Sequence, residues 1–185
     1  MTTPSQTVGP FFAFALPFAD GEWAAASDVE GAVRIHGTVL DGEGAPVPDA
    51  LIETWQASPD GRFDHPDDPR GATAFPSVRG WARVPTDADG RFSFLTVKPG
   101  SLPHPAGGVE APHINVTVLA RGLLNRLVTR IYFPDETALN DADPTLSSLP
   151  EPDRRSTVIA VPEPDGSLRF DIRLQGDGET IFFAV

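Results

Sequence analysis

The chain has no cysteine, one tyrosine, one methionine and four histidines in 185 residues. Without thiols there are no disulfides, thiolate zinc sites, iron–sulfur clusters or cysteine nucleophile. Basic residues are scarce too: 14 Lys and Arg stand against 26 Asp and Glu, a net charge of −12. So acidic a chain repels phosphate backbones, which argues against nucleic acid as the main partner. No apolar run approaches the ~18 residues that cross a bilayer. The N-terminus lacks the basic stretch and apolar core of a secretory signal, so the expected location is the cytoplasm. No His-Glu-x-x-His, no Gly-x-Ser-x-Gly and no phosphate-cradling glycine loop is found.

What is abundant is proline (20) and glycine (17). At that density long helices are broken, so an all-helical bundle is not expected. Alternating apolar residues mark strands instead: Val33, Ile35 and Val39, then 50–56, Phe92 and Phe94, and Ile114, Val116 and Val118. Further strands are expected at 127–133, 157–161, 168–174 and 180–183. Asp60-Gly61, Asp89-Gly90 and Asp165-Gly166 supply tight turns. Asp87-Ala88-Asp89-Gly90 lacks the closing glutamate of a calcium loop and reads as a hairpin turn. The expected fold is all-β, an antiparallel β-sandwich with long loops at 57–80 and 98–112. Ahead of it, 1–30 forms an N-terminal arm; 31–185 is the sandwich. Phe11, Phe12, Phe14 and Phe18 make the arm too apolar for a solvated tail, so it packs on its own body or on another subunit.

Candidate chemistry is sparse. His113 and Asn115 share one strand face because side chains alternate with period two. His-x-His there would be a bidentate metal site, but an amide is a poor substitute for imidazole. A His113 hydrogen-bonded to a loop carbonyl is the favoured reading. The residues alone give a β-sandwich with no self-contained active site.

Five strings go further: Ser5-Gln6-Thr7-Val8-Gly9-Pro10; Glu53-Thr54-Trp55-Gln56-Ala57 with Asp60-Gly61-Arg62-Phe63; Thr96-Val97-Lys98-Pro99-Gly100; Ala111-Pro112-His113-Ile114-Asn115; and 169–176. In this order, from about residue 4 to the C-terminus, they resemble the intradiol ring-cleaving dioxygenases. The resemblance implies a non-haem Fe(III) held by two tyrosines and two histidines. At the matching positions this chain has Phe63, Leu102, His113 and Asn115, so three of the four ligands are absent. Ferric iron favours anionic oxygen donors, and Tyr132, in a separate strand, is not expected to supply one.

The resemblance therefore implies an α-type chain with no metal of its own, in a complex with a β subunit that binds the Fe(III). That partner would cleave a dihydroxybenzoate, protocatechuate, with O2. This chain would line the pocket through Thr7, Gly9 and Pro10 of the arm and through Arg121, whose guanidinium suits the substrate carboxylate. Arg121 as an ordinary surface ion pair, and Thr7 as a turn cap, are the alternatives at residue level. For the whole chain, the alternative is a non-catalytic, transthyretin-like binding module.

Overall fold

The computed structural model describes residues 7–9, 11–149 and 151–184. In chain order the elements are α1 (Phe12–Ala15), β1 (Ala32–Leu40), β2 (Leu51–Trp55), β3 (Trp81–Pro85), β4 (Arg91–Val97), β5 (Leu102–Pro103), β6 (Val109–Glu110), β7 (His113–Leu119) and β8 (Leu127–Tyr132). Helices α2 (Thr137–Ala142) and α3 (Pro144–Ser147) follow, then a 3-10 helix (Pro152–Val158), β9 (Val161–Pro162), β10 (Leu168–Arg169) and β11 (Ile172–Arg173).

Period-two burial builds the sandwich. Along β7, Ile114, Val116 and Val118 are buried while Asn115, Thr117 and Leu119 are half-buried on the other face. Ile35, Gly37 and Val39 alternate the same way in β1. One sheet, β3-β2-β7-β8, is antiparallel throughout. The other pairs β1 antiparallel to β4, with β10 and β11 lying parallel to β1. Their inner faces share one core that joins Ile35, Val39, Phe92 and Phe94 to Ile52, Val84, Val116 and Ile131. Each such side chain contributes about 1.5–3 kcal/mol on burial. Gln56 stitches the sheets: its Nε2 donates to the Val97 carbonyl at 2.8 Å, and its Oε1 accepts from Thr96 Oγ1 at 2.5 Å.

The expected all-β sandwich is present, with differences in detail. The segment 157–161 is strand only at its end: the 3-10 helix runs to Val158, with Thr157 Oγ1 donating back to the Arg154 carbonyl at 2.8 Å, Ile159 bridges to Tyr132, and β9 starts at Val161. The segment 180–183 does not form a strand. It lies beside β8, held by Phe183 N to Val128 O at 2.8 Å and Thr129 Oγ1 to Ile181 O at 2.7 Å. Strand β3 and the β5–β6 hairpin were not anticipated, because their alternation is too short to stand out from loops.

The arm packs on its own body: Phe12 is buried, and further contacts run from Leu16 onward. Phe18 stacks on Trp81 at 5.3 Å, Arg83 donates to the Leu16 carbonyl at 3.1 Å, and Ala24 N donates to Leu95 O at 2.9 Å. Ahead of that, Phe11 and Phe14 are 69% and 71% exposed, edge to face at 5.5 Å.

Gly37 is where the parallel segment crosses β1. A Cβ there would lie 1.8 Å from the Phe170 carbonyl oxygen. Gly37→Ala is expected to lower unfolding free energy by about 3 kcal/mol in urea titration. A loss near zero would mean that the 168–173 segment separates freely from β1.

Candidate functional site

Strand register assembles one row on the outer face of the β3-β2-β7-β8 sheet: Trp81, Trp55, Asn115 and Arg130 lie opposite one another across four strands. His113 lies opposite Tyr132, the next pair along on the same face. Phe63 stacks on Trp55 at 5.6 Å, almost parallel. Leu102 pairs with Glu110 in the β5–β6 hairpin. The four positions that match the family's ligands are thus gathered at one end of β7.

Local hydrogen bonds explain the gathering. Asp60 accepts from Arg62 N, Thr73 Oγ1 and Ala74 N, closing the loop after β2. Asp68 accepts from Phe63 N at 2.7 Å and holds that residue against Trp55. Its carboxyl is held well below the usual range by the Arg70 guanidinium and by those backbone bonds. Gly100 lets the Lys98-Pro99-Gly100 string approach this loop: a Cβ there would sit 2.6 Å from the Pro59 carbonyl oxygen. Lys98 ties the string to Asp135 and Glu136 at 2.6 and 2.7 Å. Asp143, fully buried, caps α3 through Leu146 N and accepts from Ala111 N at 2.7 Å, fixing the approach to β7.

The donor set does not fit a ferric ion. Phe63 and Leu102 offer no side-chain donor. Asn115 Oδ1 already accepts from Arg130 Nε at 3.1 Å. His113 Nδ1 is 2.8 Å from the Ala111 carbonyl, the loop contact expected of it, and Nε2 faces Glu110 at 3.6 Å. Burial pushes the His113 imidazole below its ordinary pKa, and the Arg130 charge adds to this. Among the described residues, no three His, Asp or Glu side chains converge as a metal-binding group.

Tyr132 lies in a separate strand, as expected, and stands opposite His113 with ring centroids 5.6 Å apart. It remains unsuited to be a phenolate: burial pushes its pKa up to about 12, outweighing the bond from Arg130. Arg130 is ion-paired with Glu110, and its side chain is only 19% exposed. Nothing in the linear pattern marked it, because its importance comes from lying opposite Asn115.

Arg121, expected to line the pocket, stands apart from this row. Arg121 follows β7 at the end away from His113; six residues beyond Asn115 at about 3.3 Å each place it roughly 20 Å away. It is exposed and pairs with Asp49 through Nε. Thr7 is exposed, while Gly9 adopts φ +76° with open space where a Cβ would stand. Pro10 lies outside the described residues. His36 and His104 have structural partners: His36 Nε2 meets Ser167 Oγ at 3.3 Å, and His104 Nδ1 accepts from Ala106 N at 3.1 Å.

Two depressions accompany these features. One of about 450 Å3 opens over Trp55, Phe63, His65 and Pro103. A larger one, about 780 Å3, lies on the other sheet among Arg34, Arg91 and Arg169. Those arginines are already paired, with Asp165, Asp89 and Asp171 at 2.8–3.0 Å. The first depression borders the candidate site through Trp55 and Phe63.

Fold and site define a β-sandwich of dioxygenase type whose ligand set is degenerate. Residues 8–176 match the family described as Dioxygenase, and the chain belongs to that family. It is 41% identical to the protocatechuate 3,4-dioxygenase alpha chain of Burkholderia cepacia, covering 99% of this chain and 97% of that one. It is 37% identical to the beta chain from the same organism, over 80% of this chain and 66% of that one. The fold is shared with hydroxyquinol 1,2-dioxygenase of Pseudomonas putida DLL-E4: TM-score 0.62, 22% identity, 93% of this chain and 66% of the other.

Tyr132 is the only tyrosine, so a phenolate absorbance titration of the isolated chain reads it alone. The ordinary transition near pH 10 is expected to be missing, with ionisation delayed toward about 12. A raised folded-state value stabilises the fold below the unfolded value and is lost as pH rises through the folded one. Ionisation at the ordinary pH in the folded chain would show that the ring is not buried.

Proposed function

We propose that this chain is the α-type subunit of a protocatechuate 3,4-dioxygenase, completing the substrate pocket of an iron-bearing β-type companion. The observation that carries this reading is the near end-to-end similarity to a chain named alpha, in a protein whose own ligand positions hold Phe63, Leu102 and Asn115. Fe(III) and O2 belong to the companion's site, where the bond between the two hydroxylated carbons breaks to give 3-carboxy-cis,cis-muconate. This chain's share is shape and charge.

Thr7, Gly9, Pro10 and Arg121 are the residues we assign to the shared pocket, with 1–30 as the arm that reaches it and 31–185 as the sandwich. The exposed rings of Phe11 and Phe14 suit a docking arm, since aromatic side chains anchor interfaces. Arg121 keeps its charge at any pH near neutrality and offers a planar fork to a carboxylate. Its pairing with Asp49 holds the guanidinium in a defined direction.

Expressed alone, the chain is expected to be colourless and inactive; combined with a companion carrying the Tyr/Tyr/His/His set, it should give the red tyrosinate-to-iron colour and ring cleavage. Stoichiometric Fe(III) and turnover by the isolated chain would overturn the assignment. A natively purified monomer or homodimer without companion would favour the stand-alone binding module. In the complex, Arg121→Ala is expected to raise KM for protocatechuate about tenfold or more, the worth of one charge-assisted hydrogen bond, and that for uncharged catechol far less. Equal effects on both substrates would remove Arg121 from carboxylate recognition.

A further inference from the structure

We propose that Arg130 is a resident cation that closes the degenerate site to metal ions, so that restoring the missing ligands alone would not restore iron binding. The inference concerns this chain's own residues and does not depend on the companion subunit or on Arg121.

The guanidinium touches one of the four ligand positions, Asn115, and is linked to the other three through intervening neighbours. Arg130 lies opposite Asn115 on β8, Trp55 lies opposite Asn115 on β2, and Phe63 stacks on Trp55. Leu102 lies opposite Glu110, whose Oε1 is 3.3 Å from Arg130 Nη1. His113 is the next residue on the same face of β7, its Nε2 facing the same carboxylate. Five donor hydrogens in a rigid fork serve this ring of acceptors. Nε donates to Asn115 Oδ1 at 3.1 Å, Nη1 to Tyr132 Oη at 3.2 Å and Thr145 Oγ1 at 3.4 Å, and Nη2 to Glu110 Oε1 at 3.4 Å.

This arrangement shuts out a metal in two ways. It consumes the acceptors, since the amide oxygen of Asn115 and the carboxylate of Glu110 already bind Arg130. It also places a permanent positive charge inside the site, and like charges in a poorly solvated space repel strongly. The same arrangement explains why the site tolerates Glu110, which is only 7% exposed. A buried carboxylate needs a countercharge, and Arg130 provides the one that a metal would otherwise supply.

The test compares two full-length chains after loading with Fe(III) citrate and dialysis. One carries Phe63→Tyr, Leu102→Tyr and Asn115→His with Arg130 kept; the other adds Arg130→Gln. Bound iron is counted by elemental analysis, and tyrosinate-to-iron absorption is read in the visible. The chain with Arg130 is expected to retain about tenfold less iron and to stay colourless, while the chain with Arg130→Gln takes up iron and colour. Equal iron in the two chains, whether high or low, would overturn the proposal, because Arg130 would not be what decides occupancy. If Arg130→Gln does not fold by circular dichroism, Arg130→Met, which keeps the unbranched stem and drops the charge, replaces it with the same outcomes. Arg130→Lys serves as the charge control: uptake equal to that with Arg130→Gln would also overturn the proposal.

Discussion

A guanidinium held between a buried carboxylate, a phenol and an amide sets the character of this protein. Arg130 is satisfied by Glu110, Tyr132, Asn115 and Thr145. Burial works against its charge, and the Tyr132 hydroxyl and the Glu110 carboxylate more than reverse that effect. Removing one partner of such a pair leaves an uncompensated charge, so the members hold one another in place. The surrounding framework serves this cluster: β7 paired on both sides, the loop closed by Asp60 and Asp68, and the buried Asp143 that orients Ala111.

The sheet separates two regions of different chemistry. At one end of β7 the degenerate ligand positions are packed, paired and filled. At the other end Arg121 stands exposed with Asp49. The absence of metal donors at the first end has no bearing on the exposed charge at the second, because the ends are too far apart to share one ligand. The arm is divided in a similar way. Phe18 and Ala24 are fastened to the sandwich, whereas Phe11 and Phe14 present their rings outward.

Much of this was legible in the linear sequence. Strong alternation in Ala32–Leu40, Arg91–Val97 and His113–Leu119 marked the long strands because both faces had a consistent environment. Trp81–Pro85 was missed, although Ala82 and Val84 are buried, because it is only five residues long and emerges from a loop rich in proline and glycine. The first part of the segment 157–161 was misread because β-branched residues favour strands, while Pro152 and the Thr157 side-chain bond favour a tight helical turn. Within the site, the missing donors at Phe63, Leu102 and Asn115 could be read directly. What replaced them could not.

Side-chain identity by itself determined which donors this chain lacks, that no thiol chemistry is open to it, and that its strands alternate. Those properties belong to individual residues or near neighbours and need no folding to be known. Only the tertiary structure decided that Arg130 faces Asn115, that Tyr132 adjoins His113, and that Arg121 belongs to the far end of the strand. These are consequences of register between segments distant in the chain, where a slip of one residue would turn every one of those side chains to the opposite face.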